Sequence, residues 1–199
     1  MLRAERNGAV EVLKVARDED YAERLRTEYE VLNQLRHPAI IATHGLERIG
    51  SHTVLRLRSG LVRKEGEATF ADTLAARIRI DGPPTIDLLQ RWGNDLLDAL
   101  VELERMGIDH RDLKPENMVF IEHGQYKETH LALIDFSLAR ASKTDLDAGT
   151  VGYLDPFLRD RPNRRWDLDA ERYAAAAVLT ELATGERPVA ARRCRPPKH

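Results

Sequence analysis

The clearest pattern in the chain is an apolar stripe at helical spacing in residues 85–106. Its members recur every three or four positions, as one buried face of a helix requires. Thr85 is a suitable N-cap and Gly107 a suitable C-cap, so the pattern predicts a helix between them. The stripe consists of Leu89, Trp92, Leu96, Leu100 and Leu103.

A second helix is predicted in residues 18–35, before the helix-breaking pair His37-Pro38. Glu28 falls on its apolar face, where a carboxylate is costly unless it is paired. The preceding residues 9–16 are rich in β-branched side chains and predict a strand that contains Lys14. Two interpretations of Lys14 stay open: a solvated lysine on an edge strand, or a lysine that points into a cleft and pairs with a carboxylate.

The rest of the pattern predicts four short strands and two further helices. The last helix is rich in small residues, which suits burial, and Gly185 ends it. The strands are expected at 40–46, 52–57, 118–121 and 131–134, and the helices at 69–80 and 171–184.

A polar stretch at residues 59–67 follows the strand pattern that ends near Leu57. Ser59 and Gly60 break that pattern, and charged residues follow as far as Glu67. The stretch is the best candidate for a boundary between two lobes. An ordinary surface loop explains it equally well.

Composition narrows the class of protein. The 199 residues are 42% hydrophobic and 32% charged, which is typical of a globular domain. The net charge of −2, with both signs interspersed, gives no indication of a nucleic-acid or membrane-surface partner. Cys194 is the only cysteine, which excludes a disulfide within the chain. The residues after Met1 lack a signal-peptide core, so we expect a cytoplasmic protein.

The candidate chemistry is concentrated between the long helix and the strand at 118–121. This segment places an acid, a base and an amide within a few residues of one another. Such a set suits phosphoryl transfer, in which a protein mainly positions groups and neutralises phosphate charge. The string is His110-Arg111-Asp112-Leu113-Lys114-Pro115-Glu116-Asn117.

This string resembles the catalytic loop of the protein kinase family. The resemblance implies an α+β, two-lobed protein-kinase-like fold with a partial small β lobe and a mainly helical large lobe. It places the small lobe at residues 1–58 and the large lobe at 59–188. Residues 189–199 are then expected to be a disordered basic tail.

The resemblance assigns roles around Asp112. In the family's description this aspartate is the catalytic base for the substrate hydroxyl, and Lys114 neutralises the γ-phosphate. Asn117 and Asp135, the latter in the string Asp135-Phe136-Ser137, are implied as Mg²⁺ ligands. Ser137 stands where the family has glycine, a departure expected to be tolerated.

The resemblance also assigns the nucleotide site. Lys14 would hold the α- and β-phosphates of ATP, and Glu28 would orient it. Val12 and Val119 are implied as nucleotide-binding residues, with Val119 against the adenine face. The hinge at residues 59–67 would hydrogen-bond adenine.

Two other residues of the string receive non-catalytic roles. His110 is expected to be a packed structural residue. Arg111 is implied as available for a phosphate or carboxylate on the activation segment. Asp145 and Asp147 would supply such charge, and Ser142 and Thr144 are candidate phosphorylation sites, with an unmodified loop the equal alternative.

The activation segment closes in a string that resembles Gly-Thr-x-x-Tyr-x-Ala-Pro-Glu. Thr150, together with Lys114, favours serine or threonine as the acceptor. Asp155 and Phe157 replace the family's alanine and glutamate, so the ion pair of that glutamate is expected to be absent. Glu171 replaces an aspartate that holds the catalytic-loop backbone, which is expected to loosen that anchor.

Parts of the family pattern are missing at both edges. Only thirteen residues precede Lys14, and they contain no Gly-x-Gly-x-x-Gly string. The late large-lobe helices are also absent from the sequence. We therefore expect a part of a larger bacterial-type kinase, acting with ATP and Mg²⁺ on a protein substrate. The alternatives are a weak or inactive nucleotide-binding or interaction fragment and, last, a small-molecule phosphotransferase of kinase-like fold.

Overall fold

The computed structural model describes residues 2–6, 8–123, 128–160 and 162–189. It contains a four-stranded antiparallel sheet with one helix, followed by a mainly helical part with two hairpins. This arrangement confirms the expected α+β fold with a small β lobe. The exact division at residue 58 stays a prediction.

The small lobe comprises β1 (Leu2–Arg6), β2 (Ala9–Val15), α1 (Glu19–Leu32), β3 (Thr43–Ile49) and β4 (His52–Arg58). The strand order is β1-β2-β4-β3, and each neighbouring pair is antiparallel. Helix α1 starts at its N-cap Asp18, which accepts a hydrogen bond from the backbone N–H of Tyr21 at 2.7 Å. Its apolar face, including Leu25 and Val31, is buried.

The larger part comprises β5 (Val62–Glu65), β6 (Ala68–Ala71), α2 (Leu74–Asp81), α3 (Ile86–Met106), β7 (Met118–His123), β8 (Glu128–Leu133) and α4 (Leu168–Thr184). Short 3₁₀ turns lie at Pro115–Asn117 and Leu158–Asp160. Every helix in the described part of the chain is too short or too polar to span a bilayer.

Helix α3 carries the predicted stripe and leads into the segment at residues 110–117. Trp92, Leu96 and Leu103 are buried, and the Trp92 ring lies 4.7 Å from that of Phe120 between centroids. Gly107 ends the helix with φ 65°, a conformation that glycine adopts without strain. The predicted bounds of this helix are confirmed.

The expected helix at residues 69–80 is wrong in its first half. Residues 62–71 form a β-hairpin instead, with its turn at Gly66 (φ 61°). Helix α2 begins only after Thr73, whose hydroxyl accepts a hydrogen bond from the backbone N–H of Ala76 at 3.1 Å. The polar stretch after β4 is therefore largely regular structure rather than a plain loop.

Other predicted bounds shift by a few residues. Strand β3 begins at Thr43, and Ile40 instead forms an isolated bridge to Leu133. Helix α4 begins at Leu168, before the predicted start, because Asp167 caps the backbone N–H of Ala170 at 3.0 Å. The expected disordered tail comprises residues 189–199, of which residues 190–199 lie outside the described residues.

Candidate active site

Two residues of the site have left-handed backbones. Arg111 has φ 70° and Asp135 has φ 66°, which cost about 1–2 kcal/mol each in residues other than glycine. Two carboxylates hold these segments in place. Glu171 Oε1 accepts a hydrogen bond from the Arg111 backbone N–H at 2.7 Å, and Glu28 Oε1 accepts one from the Phe136 backbone N–H at 3.2 Å. The strain is thus offset by contacts with distant parts of the chain.

Asp112 is the centre of a hydrogen-bonded cluster. Its Oδ2 accepts hydrogen bonds from Lys114 Nζ at 2.7 Å and from Asn117 Nδ2 at 2.9 Å. Its Oδ1 accepts one from the Thr150 hydroxyl at 2.7 Å, and Lys114 Nζ lies 2.8 Å from that same hydroxyl oxygen. The carboxylate is therefore held in one orientation next to a single ammonium group.

Lys14 joins two carboxylates from different parts of the chain. Its Nζ lies 2.7 and 2.9 Å from the oxygens of Glu28 and 3.2 Å from Asp135 Oδ1. Burial opposes the charge on Lys14, but the Glu28 and Asp135 carboxylates outweigh it and raise the pKa of the lysine. Burial likewise opposes the charge on Asp135, yet the Lys14 ammonium lowers the pKa of that carboxyl. The edge-strand interpretation of Lys14 is wrong, because its side chain is buried and paired.

His110 is fully buried beneath the loop. Its Nε2 lies 3.0 Å from the Ile134 carbonyl oxygen, and its Nδ1 lies 3.3 Å from the Asp112 backbone nitrogen. Its ring packs edge-on against Phe136 at 4.7 Å between centroids. Burial lowers the pKa of His110, so the ring is neutral and supports the loop, in accord with the structural role expected for it.

The Arg111 side chain is buried and contacts the start of the activation segment. Its guanidinium donates hydrogen bonds to the backbone carbonyls of Ser142 at 2.8 Å and Asp145 at 2.5 Å, and it lies over the Trp166 ring at 5.1 Å. The side chain is 1% exposed. Its Nε is buried without a hydrogen-bond partner in the described part of the chain. The role expected for this arginine, binding a phosphate or carboxylate of the activation segment, stays a prediction.

The anchor formed by Glu171 is intact. Besides the Arg111 backbone N–H, its Oε1 accepts a hydrogen bond from Trp166 Nε1 at 2.8 Å. Its other oxygen, Oε2, is buried without a hydrogen-bond partner in the described part of the chain. Burial raises the pKa of Glu171 to about 7. Glutamate is longer than the family's aspartate and was expected to loosen the anchor of the catalytic loop. The 2.7 Å hydrogen bond from the Arg111 backbone N–H to Glu171 shows no such loosening.

A cleft of about 330 Å³ lies beside these groups. Val12 and Val119 contribute apolar surface to it, and Lys14 and Asp135 contribute charge. The linker after β4 approaches closely at Gly60, where a Cβ atom would lie 3.0 Å from that of Val119. The mixture of apolar walls and a few polar groups is typical of a small-molecule site.

Comparison with known proteins decides the family. The model of the protein kinase domain matches residues 3–196. The chain belongs to the protein kinase domain family.

Relatives of this kinase domain occur in bacteria and animals. The chain is 39% identical over 191 residues to "Probable kinase PglW" of Streptomyces coelicolor, and 31% identical over 180 residues to "Serine/threonine-protein kinase 36" of Pongo abelii. It is 28% identical over 195 residues to "Serine/threonine-protein kinase PknL" of Mycobacterium tuberculosis. These alignments cover 89%, 88% and 94% of the chain but only 12%, 12% and 45% of the relatives. The chain thus spans less than half the length of each.

Two oxygen-bearing side chains of the kinase domain, Asn117 and Asp135, fit a magnesium ion as ligands. The Asn117 amide nitrogen donates hydrogen bonds to the backbone carbonyl and to the side-chain carboxylate of Asp112. The amide oxygen of Asn117, Oδ1, is then left for a cation. Asp135 supplies a carboxylate on the cleft wall. No group of three or more His, Cys, Asp or Glu side chains with ligand geometry occurs among the described residues. A site of one carboxylate and one amide suits Mg²⁺, which takes its remaining ligands from water and phosphate.

Three site features were missed from the sequence. Thr150 was read only as a mark of acceptor type, yet it bonds directly to Asp112. Trp166 was not singled out, although its indole supports Glu171. The hairpin at residues 62–71 also borders the cleft. Its signal was present as two short segments separated by Gly66-Glu67, a two-residue turn.

Proposed function

We propose that this kinase domain transfers the γ-phosphate of ATP to serine or threonine hydroxyls of proteins. The observation that supports it most is the cluster in which Asp112 is bonded to Lys114, Asn117 and Thr150. That cluster directly follows Arg111, whose backbone is left-handed. Asp135, the other residue of the site with a left-handed backbone, lines the cleft together with Lys14. The names of the bacterial relatives point to the same class of reaction.

In this proposal the cleft binds the nucleotide. Lys14 binds the α- and β-phosphates, and Glu28 keeps its ammonium group in position through two short contacts. Val12 and Val119 contact the base as apolar walls. Asn117 and Asp135 hold Mg²⁺, which would supply positive charge to the phosphate oxygens when bound.

The transfer step uses Asp112 and Lys114. Asp112 accepts a hydrogen bond from the acceptor hydroxyl and orients its oxygen toward the γ-phosphorus. A bond forms between that oxygen and the γ-phosphorus, while the bond from the γ-phosphorus to the β,γ-bridging oxygen breaks. The hydroxyl proton passes to Asp112, and ADP carries away the bridging oxygen. Lys114 stabilises the negative charge on the transferring group.

The acceptor class follows from the same cluster. The Thr150 hydroxyl lies between Asp112 Oδ1 and Lys114 Nζ, at 2.7 and 2.8 Å. It thereby fixes the activation segment against the catalytic loop, where an acceptor peptide would lie. This position favours the short side chains of serine and threonine over the longer tyrosine.

We further propose a cytoplasmic location, where ATP is available, and a role as the kinase portion of a longer protein. The second proposal rests on the small share of each relative that the chain covers. Among the described residues, nothing favours the inactive nucleotide-binding alternative. Each implied catalytic and metal-binding side chain is present in the sequence, which supports the proposal.

Phosphate transfer from radiolabelled ATP to the chain itself and to a generic protein tests the proposal. Asp112→Asn should lower the initial rate at least 100-fold, because a positioned base contributes about that much or more. Asp98→Asn, an exposed change on α3, is the matched control and should keep the wild-type rate. Equal rates for wild type and Asp112→Asn would contradict the proposal. Magnesium-dependent nucleotide binding without any transfer would favour the binding-module alternative.

A further inference from the structure

Residues 142–150 of the activation segment are bound to the catalytic loop near both of their ends. Near the first end, Lys143 Nζ lies 2.7 Å from Asp109 Oδ2. At the other end, the Thr150 hydroxyl donates a hydrogen bond to Asp112 Oδ1 at 2.7 Å. Asp109 precedes Asp112 by three positions, so both contacts reach the same short stretch of chain.

Lys143 also joins the segment to the loop that precedes helix α4. Its backbone carbonyl accepts a hydrogen bond from the Trp166 backbone N–H at 2.7 Å. Its ammonium group pairs at the same time with Asp109, whose side chain is 14% exposed. Because this carboxylate is mostly withdrawn from water, the loss of its cation costs more than at an exposed pair. One residue thus connects three stretches that are far apart in the sequence.

A small apolar core holds the middle of the segment. It is separate from the main core of the domain, and Leu146 of the segment packs against it. Burial of an apolar side chain stabilises the docked position without any chemical modification. The buried members of this core are Leu158, Trp166 and Ala170, and Leu154 packs against it together with Leu146.

The hydroxyl groups of Ser142 and Thr144, the candidate phosphorylation sites, take no part in these contacts. Both residues are exposed, and their hydroxyl oxygens bond to each other at 2.8 Å. Ser142 contributes its backbone carbonyl instead, which accepts a hydrogen bond from Arg111 at 2.8 Å. Asp147 supplies negative charge from within the segment and pairs with Arg159. The segment is therefore docked through groups that the unmodified sequence provides.

We infer that the unmodified activation segment is held against the catalytic loop by Lys143 and Leu146, so that its position does not depend on phosphorylation of Ser142 or Thr144. The expected effect on transfer rests on the proposed function. Lys143 and Leu146 act on transfer through Thr150, which contacts the catalytic aspartate. They are therefore positioning residues, and neither touches the reacting atoms.

The first test removes the two hydroxyl groups. The Ser142→Ala/Thr144→Ala variant should transfer phosphate within about 2-fold of the wild-type rate, and so should wild type after phosphatase treatment and removal of the phosphatase. Mass spectrometry checks that both chains start unphosphorylated. Amide hydrogen exchange of residues 142–150, measured without ATP, should be equally slow in both. A rate at least 10-fold lower, or faster exchange, in either unphosphorylated chain would overturn the inference.

The second test weakens the contacts themselves. Lys143→Met and Leu146→Ala should each accelerate exchange in residues 142–150 about 5- to 10-fold and lower kcat by a similar factor. The KM for MgATP should stay unchanged, because neither residue lines the nucleotide cleft. Lys143→Arg keeps the charge and should restore the wild-type values. Leu97→Ala, at an exposed leucine of α3, is the matched control and should change neither exchange nor kcat. Wild-type exchange in both Lys143→Met and Leu146→Ala would overturn the inference.

Hydrogen exchange separates this inference from the proposed function, because it needs no transfer. An unphosphorylated wild-type chain that transfers no phosphate but exchanges slowly in residues 142–150 would contradict the proposed function and support the held segment. Exchange there as fast as in an unfolded peptide of the same sequence would overturn the inference whatever the transfer rate. Thermal melting checks that each variant is folded.

Discussion

Glu171 Oε1 accepts a hydrogen bond at 2.7 Å from the backbone N–H of Arg111, 60 positions earlier in the chain. The bond connects helix α4 to the catalytic loop at the residue whose backbone is left-handed. It also places a carboxylate at a buried position, where Glu171 is 3% exposed. The loop geometry is thus linked to the protonation state of a single side chain.

Stability should depend on pH through Glu171. Burial raises the pKa of this carboxyl from 4.5 to about 7, so the folded chain binds more protons than the unfolded chain between these values. The free energy of unfolding therefore falls as pH rises from 4.5 to 7, by about 3 kcal/mol from this residue. Urea unfolding between pH 4.5 and 8 measures the slope.

The Glu171→Gln variant isolates this contribution. Relative to wild type, it should lose the part of the slope that lies between pH 4.5 and 7, because its amide does not titrate. Glu186→Gln, an exposed change just after α4, should keep the wild-type slope. Parallel curves for wild type and Glu171→Gln would show that the buried carboxyl does not titrate in this range.

Replacing Lys14 should destabilise the fold even without nucleotide. Lys14→Met leaves Glu28, which is 1% exposed, as a buried carboxylate without its cation. Breaking a buried pair in this way costs about 3–5 kcal/mol. Adding Glu28→Gln to the variant should recover most of that loss, since it removes the unpaired charge.

Urea unfolding at pH 7 in nucleotide-free buffer measures both variants. Lys64→Met, on exposed strand β5, serves as the control and should match wild type. A Lys14→Met chain as stable as wild type would mean that the pair contributes only to nucleotide binding.

Thr150 should affect the rate of transfer more than substrate binding. Thr150→Ala removes the hydrogen bond to Asp112 and the contact with Lys114, and hydrogen bonds to charged groups are worth about 1.5–3 kcal/mol. We expect kcat to fall about 10- to 100-fold. Thr150→Ser keeps the hydroxyl and should retain most of the rate. Steady-state phosphotransfer gives kcat and KM separately, and a change confined to KM would assign Thr150 to acceptor binding instead.

Arg111 should order the start of the activation segment. Its guanidinium binds the carbonyl oxygens of Ser142 and Asp145, so Arg111→Met removes two charged hydrogen bonds from that segment. Hydrogen exchange of residues 142–147 should accelerate at least 10-fold, while exchange in helix α3 stays unchanged. Unchanged exchange in residues 142–147 would show that Trp166 and other contacts hold the segment without the arginine.

The sequence was sufficient to predict those features that leave a recognisable pattern of residue types along the chain. The stripe of α3 defined that helix because its spacing is regular over the whole element. The pairing of Lys14 with Glu28 was accessible because a buried carboxylate on an apolar helix face needs a cation. The catalytic loop was accessible because several functional side chains are adjacent in the chain.

Contacts between side chains and backbone atoms could not be predicted from the sequence in the same way. Carbonyl groups occur in every residue, so no residue type marks Ser142 or Asp145 as partners of Arg111. The β5–β6 hairpin was missed because Arg63, Lys64 and Glu65 are consecutive charged residues on both faces of β5, which obscures the alternation expected of a half-buried strand.

The bond between Glu171 and Arg111 also affects how the domain forms during synthesis. The ribosome releases Lys14 and Glu28 first, then Asp112 and Asp135, and Glu171 only later. A nascent chain that ends before α4 already contains every acid, base and amide assigned to the site. It still lacks the acceptor that holds the Arg111 backbone in its left-handed conformation. We therefore expect the growing chain to remain inactive until α4 has emerged and packed.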